Sequence, residues 1–90
     1  MDYKKVIYEK YLPKMEYIIR VLEGCETVEQ AAVCSSWMYR VFVTWNNYED
    51  RNTEDFNLSC DMAIGLDNLL SLFNAAYDRK REELSKNEEN

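Results

Sequence analysis

Only three of the ninety residues, Pro13, Gly24 and Gly65, interrupt regular backbone structure by their own chemistry. A sheet protein of this length needs frequent turns, and turns draw heavily on Gly and Pro. So few breaks favour a small number of long helices.

Apolar residues recur at helical spacing in three stretches. The first, from about Tyr3 to Glu23, places Ile7, Tyr8, Tyr11, Met15, Ile18, Ile19 and Leu22 on one face. The pattern stays in phase across Pro13. That residue lacks a backbone donor and its ring crowds the preceding turn, so a helix kinked or broken at Tyr11-Leu12-Pro13 is expected. Gly24 is the expected stop.

The second stretch, from about Val28 to Tyr48, can be capped by Thr27 with Gln30 completing a capping box. Its main face is Ala31, Cys34, Met38, Val41, Phe42 and Trp45, with Trp37 and Tyr48 at one edge. A second row, Val28, Ala32, Ser35, Tyr39 and Val43, makes the helix apolar over most of its circumference. Such a helix is expected to be covered on most sides.

A polar loop over Asn46 to Thr53 precedes the third stretch, Glu54 to Glu83, for which Asn52 or Thr53 is the expected cap. Met62, Leu66, Leu69, Leu70, Phe73, Ala76 and Tyr77 form its core face. Gly65 weakens the helix and offers a place for close approach or a bend. The prediction is an all-α fold: an antiparallel three-helix bundle with helix 2 central and a kinked or broken first helix. One domain covers residues 1–84, followed by a polar disordered tail over 85–90. Short linkers favour the antiparallel arrangement.

The net charge of −6 is unevenly spread. Residues 1–23 carry five bases and four acids (+1), residues 24–78 two bases and nine acids (−7), and residues 79–90 four of each. An acidic middle opposes direct nucleic-acid binding and attraction to anionic membranes. No stretch is apolar enough to span a bilayer. Cys25, Cys34 and Cys60 are odd in number and lack metal-ligand spacing. With no signal-like apolar N-terminus, free thiols in the cytoplasm are expected.

The chain contains no histidine, which removes the commonest general base and a preferred metal ligand. Cys60 has Asp61 beside it, and a neighbouring carboxylate raises a thiol pKa. Asp50 to Asp61 departs from a calcium loop at its sixth and twelfth positions. No catalytic, metal or cofactor residue is therefore assigned, and a non-enzymatic role is expected.

Two surfaces are candidates for partners. Seven Tyr, two Trp and three Phe give 13% aromatics, residue types suited to interfaces because they bury area while keeping polar tips. Ala32, Tyr39, Val43 and Tyr48 are the expected partner-binding residues, with Tyr3 and Tyr17 also off the core stripes. Glu54, Asp61, Asp67 and Asp78 form the second candidate, an acidic face. The leading expectation is a protein-binding adaptor or inhibitor using an apolar, aromatic helical face, with a second copy as one available partner. The alternative is an acidic nucleic-acid mimic that blocks a DNA- or RNA-handling protein, as small phage and mobile-element proteins do.

Overall fold

The computed structural model describes residues 2–88 and consists of three helices: α1 (Tyr3–Glu23), α2 (Val28–Arg51) and α3 (Phe56–Glu88). Among the described residues there is no strand.

Each helix starts at a side-chain cap. Asp2 Oδ1 accepts from the Lys4 amide at 3.1 Å and opens α1. Thr27 caps α2, accepting from the Gln30 amide at 3.1 Å. The Gln30 side chain reaches back to the Glu26 amide at 2.7 Å, one residue beyond the position a capping box uses. Asp55, rather than Asn52 or Thr53, caps α3: its Oδ1 accepts from the Asn57 and Leu58 amides. The expected loop shrinks accordingly, because α2 continues to Arg51.

Pro13 lies inside α1, which is one continuous helix, so the expected break is absent. The missing Pro13 donor orphans the Glu9 carbonyl four residues earlier. Both residues are exposed, so water can satisfy that carbonyl. Gly24 ends α1 in a right-handed conformation (φ −82°, ψ −4°) rather than a left-handed one. The expected tail is also corrected in part: α3 runs on through Ser85 to Glu88, supported by Leu84, which is buried on the core side. Residues 89–90 lie outside the described residues.

The core stripes meet along the bundle. Ile7, Tyr11, Met15, Ile18 and Leu22 of α1 pack with Ala31, Cys34, Met38 and Trp45 of α2 and with Met62, Leu66, Leu69, Phe73 and Ala76 of α3. Tyr8, Ile19, Val41, Phe42, Leu70 and Tyr77 flank this core half-buried.

Helix 2 is not the central element. α1 and α3 pack most closely, α1 and α2 least, so α3 is the helix on which both others lean. Gly65 accounts for one half of this. A Cβ there would lie 2.7 Å from the Lys4 carbonyl oxygen, so only glycine lets α3 come this near α1. Bulky rings account for the other half: Tyr11 and Trp45 stack with centroids 4.8 Å apart and hold α2 away from α1. Cross-helix contacts join Ile18 to Cys34 and Tyr11 to Glu49 between α1 and α2, Glu23 to Lys80 between α1 and α3, and Tyr39 to Asn74 between α2 and α3. The molecule measures 53 × 20 × 17 Å. At about 1.5 Å per residue, the 33 residues of α3 account for nearly all of that length.

Candidate functional site

The wider α1–α2 seam carries the chemistry of greatest interest. Glu49 is only 4% exposed, the one buried charged residue among those described. It sits one turn after Trp45 on the α2 core stripe. The Tyr11 hydroxyl donates to Glu49 Oε1 at 2.7 Å, and the Lys10 ammonium donates to the same oxygen at 2.5 Å. The Glu49 carbonyl accepts from Thr53 Oγ1 at 2.7 Å, and Thr53 Oγ1 lies 3.4 Å from the Tyr3 hydroxyl. Every buried side-chain polar atom among the described residues has a partner.

This cluster moves two pKa values upward. Burial pushes the Tyr11 hydroxyl far above its ordinary value, and its hydrogen bond to Glu49 adds to the effect. The hydrogen bond to Glu49 likewise raises Lys10. Two donors converging on one carboxylate secure the seam at this end. All three groups are occupied with one another, and the cluster is structural in character.

Beside it, two contiguous hollows share Lys14 and Trp45. The larger, about 370 Å³, is walled by Pro13, Tyr17 and Ile18 of α1 and by Trp37, Val41 and Trp45 of α2. The smaller, about 310 Å³, continues past Lys10 and Thr44 to Tyr48. The Lys10 ammonium stands 5.2 Å from the Tyr48 ring centre, and Lys14 stands 5.4 Å from that of Tyr11. Tyr17 is 56% exposed at the groove edge. The walls are apolar and aromatic, and the nearby charges are lysines.

The four expected partner-binding residues are all exposed, yet they do not form one surface. At about 100° per residue, Ala32, Tyr39 and Val43 line one side of α2, toward α3, where the Tyr39 hydroxyl donates to Asn74 Oδ1 at 3.3 Å. Tyr48 points the other way, into the α1–α2 groove. Tyr3, a further aromatic candidate, is half-buried beside Thr53.

The acidic face divides as well. Asp67 and Asp78 share a line on the outside of α3, eleven residues and so about 16 Å apart. Asp61 is half-buried and lies a quarter-turn or more away, and Glu54 precedes the helix. Asp50 and Arg51 belong to α2, so no calcium loop forms there. Among the described residues, no group of three or more Cys, Asp or Glu is placed to hold a metal ion. No helix among them is long and apolar enough to cross a membrane.

The thiols divide by environment. Cys60 is exposed, while Cys34 is buried and donates weakly to the Ile18 carbonyl at 4.0 Å. Burial, and secondarily the nearby Cys25, raises the Cys34 pKa, which suits a small apolar packing residue.

Comparison with known proteins yields no match to any family model, curated protein or solved structure.

Proposed function

We propose that this chain is a non-enzymatic, cytoplasmic protein-binding module, an adaptor or inhibitor, that engages its partner through the aromatic groove between α1 and α2. The supporting scaffold in this reading is an antiparallel three-helix bundle with α1 bent at Pro13, an arrangement suited to the cross-helix pairs described above. The observation that carries the reading is the groove itself. Trp37, Trp45, Tyr17 and Tyr48 line a continuous hollow whose walls cost free energy while wet. Trp and Tyr are the residues that most often anchor protein partners. The second row, Ala32, Tyr39 and Val43, serves self-association.

Capture from a lysate of the source cells tests the reading, with wild-type chain compared against Tyr17→Glu and Tyr48→Glu. Both positions are exposed, so both variants keep the fold. The expected result is a protein retained by the wild type and lost with both variants. Retention unchanged by either variant would remove the groove as the contact surface.

The mimic reading draws less support. Phosphates along one nucleic-acid strand recur every few ångströms, whereas Asp67 and Asp78 stand about 16 Å apart, and Glu82, one turn beyond Asp78, is paired with Lys86.

A further inference from the structure

We propose that the α1–α2 groove takes an acidic, amphipathic helical segment of a partner protein, with apolar side chains seated between Tyr17, Trp37 and Trp45 and a carboxylate meeting Lys14. This rests on the protein-binding reading and fixes the chemistry of the partner.

Charge makes the first part of the case. The chain carries −6 overall, and its middle segment −7. An acidic protein is expected to steer basic partners. The groove reverses that expectation locally. Its bordering charges are Lys10 and Lys14, and no carboxylate lines either hollow. The nearest acid, Glu49, is buried beneath Lys10 and already accepts from Lys10 and Tyr11. Lys14 makes no ion pair among the described residues, and its ammonium stands over the face of Tyr11. At physiological salt, charges farther than about 8 Å are largely screened. Glu49 cancels the charge of Lys10, so Lys14 supplies the net charge at the groove, and it lies nearer to a bound segment than Asp67 and Asp78 on the outside of α3.

Shape makes the second part. Pro13 and Tyr17 stand one turn apart on α1, while Trp37, Val41 and Trp45 mark successive turns of α2. From Trp37 to Trp45 is about 12 Å along the helix. A helix that offers apolar residues at i, i+4 and i+7 covers nearly the same distance, which is the pattern of helix-in-groove recognition. The groove also lies on the least tightly packed seam of the bundle, so an added helix completes a four-helix arrangement without displacing an existing one.

The test uses the full chain labelled with nitrogen-15. The indole signals of Trp37 and Trp45 report on the groove. The probes are a synthetic helical peptide with Leu at i, i+4 and i+7 flanked by Glu, the same peptide with Lys in place of Glu, and a thymidine oligonucleotide. The acidic peptide is expected to shift both indole signals, more weakly as salt rises, and the basic peptide to leave them in place. Lys14→Glu, an exposed change that leaves thermal unfolding unaltered, is expected to weaken the acidic peptide about tenfold. Three outcomes overturn the inference: equal binding of the basic peptide, tighter binding of the oligonucleotide at the same signals, or no shift with the acidic peptide. Equal binding of the basic peptide would leave the protein-binding reading standing, because that reading fails only on its own capture experiment.

Discussion

Tyr11 and Glu49, 38 positions apart in sequence, meet through a 2.7 Å hydrogen bond inside the α1–α2 seam. Both are buried. Lys10 completes the neutralisation of Glu49 from the half-exposed side. Glu49→Ala strips the Tyr11 hydroxyl of its acceptor and is expected to cost about 1–3 kcal/mol. Glu49→Gln keeps an acceptor and is expected to cost less. Urea midpoints measure both, and equal midpoints for wild type and Glu49→Ala would show that the pair adds no stability.

The same cluster sets an alkaline limit. The folded state raises the pKa values of both Tyr11 and Lys10, so it holds those protons more tightly than the unfolded chain. Stability from the two groups is whole below about pH 10 and falls as pH rises beyond it. Melting temperature is expected to decline between about pH 10 and 11.5, and Tyr11→Phe is expected to flatten that decline. An identical alkaline slope in Tyr11→Phe would exclude Tyr11 as a source.

Gly65→Ala separates helix propensity from packing. In an open helix the change would gain about 1 kcal/mol. Here the new Cβ meets the Lys4 carbonyl oxygen at 2.7 Å and Ile7 side-chain carbons at 3.2 Å. Backbone cannot swing aside as a side chain can, so a net loss of about 1–3 kcal/mol is expected. A raised melting temperature would mean that α1 and α3 are not in such close approach.

The two phenylalanines near the core are not equivalent. Phe73 is fully buried and stacks on Tyr77 at 5.9 Å, so Phe73→Ala is expected to cost about 3–5 kcal/mol. Phe42 is half-buried, and Phe42→Ala is expected to cost clearly less. Equal costs in chemical denaturation would contradict this difference in burial.

Self-association is expected through Ala32, Tyr39 and Val43 of α2. Like charges oppose the approach of two copies at −6 each, so added salt is expected to strengthen the association. Light scattering across protein and salt concentrations measures it, with Tyr39→Glu as the disrupting variant. A monomer mass throughout would eliminate the homodimer.

The core was readable from periodicity. Ile7, Tyr11, Met15, Ile18 and Leu22 repeat every three or four residues, and all five are buried. Glu49 escaped because its charge outweighed its position: it continues the line of Cys34, Met38 and Trp45, but an acid there reads as solvated. Only the Tyr11 and Lys10 side chains, far away in sequence, make its burial tolerable. The groove was hidden for a related reason. Tyr48 and Trp37 appeared as one edge of α2 and Tyr17 as a stray aromatic of α1, and no local pattern shows that two helices leave a gap between them. Leu84 lay beyond the expected core stripe, and its burial marks how far α3 continues.

The rod-like outline has a practical consequence for size. The radius of gyration is 15.0 Å, whereas a compact chain of this length has about 12 Å. Gel filtration sorts by Stokes radius, and columns are calibrated with near-spherical standards. A lone copy of this protein will therefore elute early and pass for a heavier species, so an elution volume by itself will report a pair where only one molecule is present.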